Sequence, residues 1–277
     1  MSHAPGTVET TRNYYNSNDA DAFYATVWGG EDIHIGLYDA PESSIVDASR
    51  RTVERMTGKV ADRLTGARVL DMGAGYGGAA RYLASRFEDA RIDCLNLSEV
   101  QNERNRTLND EQGLSDRIQV IDGSFEDVPS DDAVYDVVWS QDSFLHSGNR
   151  PRVLREAARV LKPGGTFIFT DPMQQDGVQP DDIRPVLDRI HLDTMGSIPF
   201  YRRQLGDLGF REEEVEVLTP HLIRHYTHVR RQIIARDEAL AAVCSRDYIE
   251  RMKAGLQHWV DAGQAGNLEW GILVFRR

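Results

Sequence analysis

The chain has 277 residues, 40% hydrophobic and 27% charged, a composition that excludes a largely disordered protein. This length fits one α/β domain with insertions. A net charge of −12 argues against a nucleic-acid partner, whose phosphates need concentrated Lys and Arg, and against docking on an anionic membrane.

The N-terminal stretch MSHAPGTVETTRNYYNS lacks the apolar core of a secretory signal. Residues 1–66 carry no strand signal, and DADAFYATVWGG and SSIVDASRRTVERMTGKVADRL read as helices. From Arg68 the pattern changes. RVLDM, ARIDCLNL, RIQVID, YDVVWS and GGTFIFTD read as strands, and GGAARYLASRF, EVQNERNRTLNDEQ and RPRVLREAARVL as helices among them. That alternation predicts a parallel sheet with helices on both faces. LKPGG reads as a turn before the fifth strand, with Pro163 ending the helix. Beyond Asp171 come the helical pieces PDDIRPVLDRI and FYRRQLGDLG and the strand FREEEVEVL. Helices near 221–237 and 246–262 follow, then a last strand in LEWGILVFRR. No apolar run reaches membrane-spanning length. Cys94 and Cys244 stand far apart, so we expect no disulfide framework and a cytoplasmic, reducing location.

The stretch VLDMGAGYGG matches G-x-G-x-x-G through Gly73, Gly75 and Gly78, a pattern that is weak alone. Asp71 just before the loop would repel a pyrophosphate. The position about 20 residues on, where a dinucleotide site carries an acid for the ribose, holds Asn96. A cationic cofactor resolves the first conflict. S-adenosylmethionine carries a sulfonium and an ammonium that Asp71 would attract, and Asn96 can still bond ribose hydroxyls. The alternative is a glycine turn that only packs helix on strand.

VLDMGAGYGGAARYLA, DGSFEDVP, YDVVWSQDSFLH and RVLKPGGTFIFTDPM, within residues 69–173, resemble successive motifs of the seven-stranded S-adenosylmethionine-dependent methyltransferases. Within that superfamily, YYNSNDADAFYATVWGGEDIHIGLY, CLNLSEVQNERN, HLDTMGSIPFYR and GLQHWVDAGQAGNLEWG resemble the sarcosine/dimethylglycine N-methyltransferases of glycine betaine synthesis, over nearly the whole chain. The phosphoethanolamine methyltransferases are a more distant likeness. The resemblance implies a mostly parallel, seven-stranded Rossmann-like sheet with helices on both faces. We expect a single domain over 1–277, with a helical N-terminal lid over 1–66, a cofactor-binding core over 67–173, and a substrate-side helical insertion with the last strands over 174–277. It implies a cofactor loop of Asp71, Gly73, Ala74 and Gly75, with the ribose by Asn96 and Leu97 and Gln101 within reach. The adenine would lie along Gly123, Ser124 and Phe125, and the sulfonium near Gln141. Asn96 departs from the commoner acidic residue of the superfamily.

Methyl transfer to an amine needs a nitrogen lone pair, alignment and exclusion of water, and neither a metal nor a covalent intermediate. His146 follows the fourth strand, where parallel sheets place ligands. Phosphoethanolamine methyltransferases pair a histidine there with an N-terminal tyrosine, which implies Tyr14 or Tyr15 here; we take Tyr15. Such a pair would relay a proton or latch the lid; a histidine that merely starts a helix is the alternative. The substrate carboxylate calls for an arginine fork, Arg189 or Arg202. Its methylated nitrogen calls for aromatic faces, Trp28, Tyr24 and Tyr226, with Met173 shaping a pocket for N-methyl groups. His221, His225 and His228 fall on one helical face, but H-E-x-x-H is absent and Arg224 intervenes, so we expect no metal and place His225 at the substrate. The expected partner is a small-molecule amine. Phosphoethanolamine methylation and a non-catalytic cofactor-holding subunit are the alternatives, and oligomeric state stays open.

Overall fold

The computed structural model describes residues 6–16, 18–28 and 30–277. Residues 1–5 and Ser17, which the leader reading above includes, and Gly29 lie outside the described residues, as does the Tyr14 side chain. Two helices, α1 (Thr7–Tyr15) and α2 (Asn18–Val27), precede an irregular strap over residues 30–38. Next comes α3 (Ile45–Val60), which starts where Ser44 accepts from the Asp47 N–H and buries Val53, Met56 and Val60 at helical spacing.

Then the alternation begins: β1 (Arg68–Met72), α4 (Gly78–Arg86), β2 (Arg91–Asn96), α5 (Glu99–Glu111), β3 (Ile118–Asp122), β4 (Tyr135–Gln141), α6 (Arg150–Val160) and β5 (Leu161–Gln174). Helices α7 (Arg184–Ile190) and α8 (Ile198–Asp207) lead to β6 (Arg211–Val217). Helices α9 (Thr219–Ala235), α10 (Asp237–Ala241) and α11 (Arg246–Gln264) lie between β6 and β7 (Leu268–Arg276). The strand order is β3-β2-β1-β4-β5-β7-β6. Only β7 runs antiparallel to its neighbours, giving the seven-stranded, mostly parallel sheet expected. No helix among the described residues is long and apolar enough to cross a membrane.

Alternate side chains of the central strands feed two apolar layers, one on each face. Phe167 and Phe169 join Phe144, Tyr201 and Phe275 on one side. Ile168, Trp139 and Ile272 meet Met56 and Leu83 on the other. Helix α5 is an exception, because it buries Asn105 and Asn109 rather than apolar groups. Their Oδ1 atoms accept from Arg81 at 3.0 and 2.9 Å, so the buried guanidinium is satisfied.

The fifth strand departs from expectation at both ends. Leu161 already pairs with Tyr135, and the register then jumps so that Val137 faces Thr166. The LKPGG turn is thus a bulge within β5, not a linker before it. The strand also continues past Asp171 to Gln174, pairing with β7 throughout.

Candidate active site

Two cavities open at the carboxyl ends of β1 and β4, where a parallel sheet binds ligands. The first lies over the glycine loop and is lined by Asp71, Gly73, Ala74, Gly75, Asn96, Leu97, Gln101, Phe125 and Gln141. Gly73, Gly75 and Gly77 hold positive φ, which lets the chain turn from β1 into α4 without a Cβ penalty. The Gly73 N–H donates to the Leu95 carbonyl at 2.8 Å. A Cβ at Gly73 would overlap the Ser143 hydroxyl, so that glycine admits Ser143. Asn96 donates through Nδ2 to Gln101 Oε1 at 3.0 Å, joining the end of β2 to the start of α5. Phe125 presents a face to the cavity and packs edge-on against Phe144.

Asp71 decides the electrostatics. It is buried, and no described residue donates a hydrogen bond to its carboxylate. Burial pushes its pKa up to about 7, the charge of His34 pulls it down, and Asp32 pushes it up. An unmatched acid facing a cavity that also holds Asp32 and Asp142 suits a cationic occupant and disfavours a pyrophosphate.

The strap forms the wall shared by both cavities. Asp142, at positive φ, accepts from the Ile35 N–H at 2.7 Å through Oδ2 and from Trp270 Nε1 at 2.7 Å through Oδ1. Arg50 pairs with Asp32 at 2.9 Å, and Arg81 pairs with Glu31 at 2.6 Å. Tyr15, Ile33, His34, Asp142 and His146 line both spaces. At this junction Tyr15 Oη lies 2.8 Å from His146 Nε2. Burial, then Arg189 and Arg150, depress the His146 pKa to about 4, so its imidazole is neutral at pH 7. The turn carrying His146 is held by Asp171, which accepts from the Leu145 N–H at 2.9 Å and from the Tyr201 hydroxyl at 2.6 Å.

The second cavity has a volume of about 900 Å³. Tyr24, Trp28, Tyr226, Tyr248 and Trp259 line it, with Arg189 and His225. His225 Nδ1 accepts from the Gly36 N–H at 3.2 Å and lies 2.9 Å from the Tyr38 hydroxyl. Its proton therefore sits on Nε2. His221 Nδ1 accepts from the Tyr38 N–H at 3.0 Å, and the His228 ring lies tilted against Tyr38 with centroids 4.8 Å apart. The three histidines of α9 thus grip the strap. No group of three or more potential metal ligands gathers among the described residues.

Residues 70–169 match a family model described as a methyltransferase domain. The sarcosine/dimethylglycine N-methyltransferase of Halorhodospira halochloris is 58% identical, over 98% of this chain and 96% of the relative. The chain belongs to the sarcosine/dimethylglycine N-methyltransferases. The enzyme of that description from Aphanothece halophytica is 50% identical over the full length of both chains. A crystal structure of a candidate sarcosine dimethylglycine methyltransferase from Galdieria sulphuraria superposes with a TM-score of 0.91 at 46% identity, covering 95% of this chain and 98% of that one.

Several expected site residues of this methyltransferase line neither of the two cavities. Gly123 and Ser124 are absent from the lining of both; Gly123 donates to the Asn96 carbonyl and Ser124 accepts from the Glu126 N–H. Met173 lies inside β5, fully buried among core side chains, because that strand is longer than its apolar run indicates. Arg202 points away on α8 and forms a bidentate pair with Glu212 at 2.6 and 2.9 Å. The Arg202→Ala enzyme should therefore keep the KM of the wild type for its amine within twofold, and a tenfold rise in a steady-state assay would return Arg202 to the site. Asp142, His34, Tyr248 and Trp259 are additional lining residues. An acid directly after a strand, as in SQDS, was the available signal for Asp142.

Proposed function

We propose that this enzyme methylates sarcosine and dimethylglycine to glycine betaine, with the chemistry at the junction of the two cavities. The carrying observation is that junction: a space bounded by an unmatched acid meets a space bounded by aromatic rings and an arginine, and Tyr15 and His146 line both. S-adenosylmethionine, the methyl donor, supplies an electrophilic carbon on a sulfonium. Asp71 attracts its positive charge, Asn96 and Gln101 supply hydrogen bonds for hydroxyls, and Phe125 supplies an apolar face.

On the acceptor side, Arg189 holds the carboxylate while Trp28, Tyr24 and Tyr226 offer ring faces to a nitrogen that becomes positively charged. The amine enters as its neutral form, so that its lone pair is available for in-line attack. His146, neutral and bonded to Tyr15, closes the junction against water rather than taking a proton from an ammonium that is a much weaker acid than its own imidazolium. The described residues ahead of α3 serve as the lid, with α1 contributing Tyr15, whereas α3 packs into the core and is not part of it. Two buried free thiols, Cys94 and Cys244, support a reducing compartment such as the cytoplasm.

The test is transfer of labelled methyl from S-adenosylmethionine to sarcosine, dimethylglycine and phosphoethanolamine in parallel. Label should appear in dimethylglycine and glycine betaine. Preferential labelling of phosphoethanolamine would overturn the assignment.

A further inference from the structure

We propose that Gly255 sets the carboxylate specificity of the substrate cavity by leaving a groove on α11 through which Arg189 crosses. The inference rests on reading Arg189 as the partner of the substrate carboxylate. Gly255 lies in the interior of α11, where glycine is less favourable than alanine. Helix formation therefore does not select it. Its φ lies outside the left-handed region, so no turn requires it either.

What a side chain would meet does explain it. A Cβ at position 255 would overlap Arg189 Cδ and stand 2.6 Å from Nε and 3.3 Å from Cγ. The Arg189 chain runs directly over the glycine Cα, and its Nη2 continues to Met252 Sδ at 3.5 Å. Met252, Gly255 and Arg189 all line the second cavity. From there the guanidinium charge reaches the rings of His146 and Tyr226, which flank the acceptor space. The helical glycines Gly58 and Gly206 differ, because a Cβ at either meets nothing within 4 Å.

The atoms met at position 255 belong to the Arg189 side chain and not to backbone, so a methyl group there forces the Arg189 chain from its present path. The guanidinium then leaves its place while α11 gains helix propensity. Alanine at 255 should thus separate substrate recognition from stability.

The experiment compares wild type, Gly255→Ala, Arg189→Ala and Gly58→Ala by steady-state kinetics on dimethylglycine and on N,N-dimethylethanolamine, which lacks the carboxylate. Melting temperature and S-adenosylmethionine affinity are measured alongside. For Gly255→Ala we expect the dimethylglycine KM to rise at least tenfold and the preference over N,N-dimethylethanolamine to fall tenfold. Its melting temperature should match or exceed that of the wild type, its donor affinity should be unchanged, and Gly58→Ala should behave as wild type. A raised KM in Arg189→Ala with an unchanged KM in Gly255→Ala would overturn the role of Gly255 alone. An unchanged KM in Arg189→Ala would overturn the reading of Arg189 itself. A fall of several degrees in the melting temperature of Gly255→Ala would assign the glycine to helix packing and overturn the proposal.

Discussion

The Asp71→Asn enzyme should bind S-adenosylmethionine about a hundredfold more weakly than the wild type, and its ligand-free form should melt at a higher temperature. Both effects come from one buried carboxylate that no described residue bonds. Removing one partner of a desolvated charge pair costs about 2–5 kcal/mol, and a hundredfold lies near the lower end of that range. The stability effect has the opposite sign. Burial raises the folded-state pKa of Asp71 from 3.8 to about 7. Between those values the folded protein keeps a proton that the unfolded chain has released, so stability falls as pH rises through the window. Asparagine removes that loss, on the order of a few kcal/mol at neutral pH. The same proton opposes the cationic donor. In the wild type, donor affinity should drop about tenfold per unit as pH falls below about 7, and in Asp71→Asn that slope should vanish. Calorimetric titration at several pH values and thermal melts decide the matter. Equal dissociation constants for the two proteins would remove Asp71 from the donor site.

Tyr15→Phe and His146→Ala should each lower kcat/KM by ten- to a hundredfold, and the double variant should be no worse than the poorer single one. Their 2.8 Å contact joins α1 to the turn after β4 across the mouths of both cavities, so losing either partner releases the same latch. A general base would contribute about 10²- to 10⁴-fold and works best with a pKa near the operating pH. His146, at about 4, is poorly matched to that task. In the wild type, kcat/KM should climb through neutral pH with the fraction of neutral amine, and the slope should persist in His146→Ala. Full additivity in the double-mutant cycle, or loss of the pH slope in His146→Ala, would instead give the imidazole a proton-transfer role. The depressed pKa also predicts that its contribution to stability is present above about pH 6.5 and disappears toward pH 4 as the buried ring is forced to charge.

The central strands were legible because each is a short apolar run ended by a turn residue, and Asp71 stood out as an acid where a phosphate site cannot tolerate one. The contact between Tyr15 and His146 spans 131 positions and carries no local signal; a family resemblance, not periodicity, brought the two together. The strap was opaque for a physical reason. Its order comes from side chains and carbonyls of distant elements, Asp142, His225 and Thr52 among them, and not from any repeating pattern of its own. Met173 misled because the end of an apolar run was read as the end of a strand, whereas pairing with β7 carries β5 three residues beyond Asp171. An arginine beside a tyrosine reads the same in sequence whether it faces a ligand or a glutamate, and Arg202 pairs with Glu212.

The residues lining the first cavity, apart from the strap and α1, fall between Asp71 and His146, whereas α9 and α11, which bring His225, Tyr226, Gly255 and Trp259 to the second, belong to one uninterrupted excursion between β6 and β7. Substitutions within that excursion can reshape the second cavity while leaving the lining of the first intact.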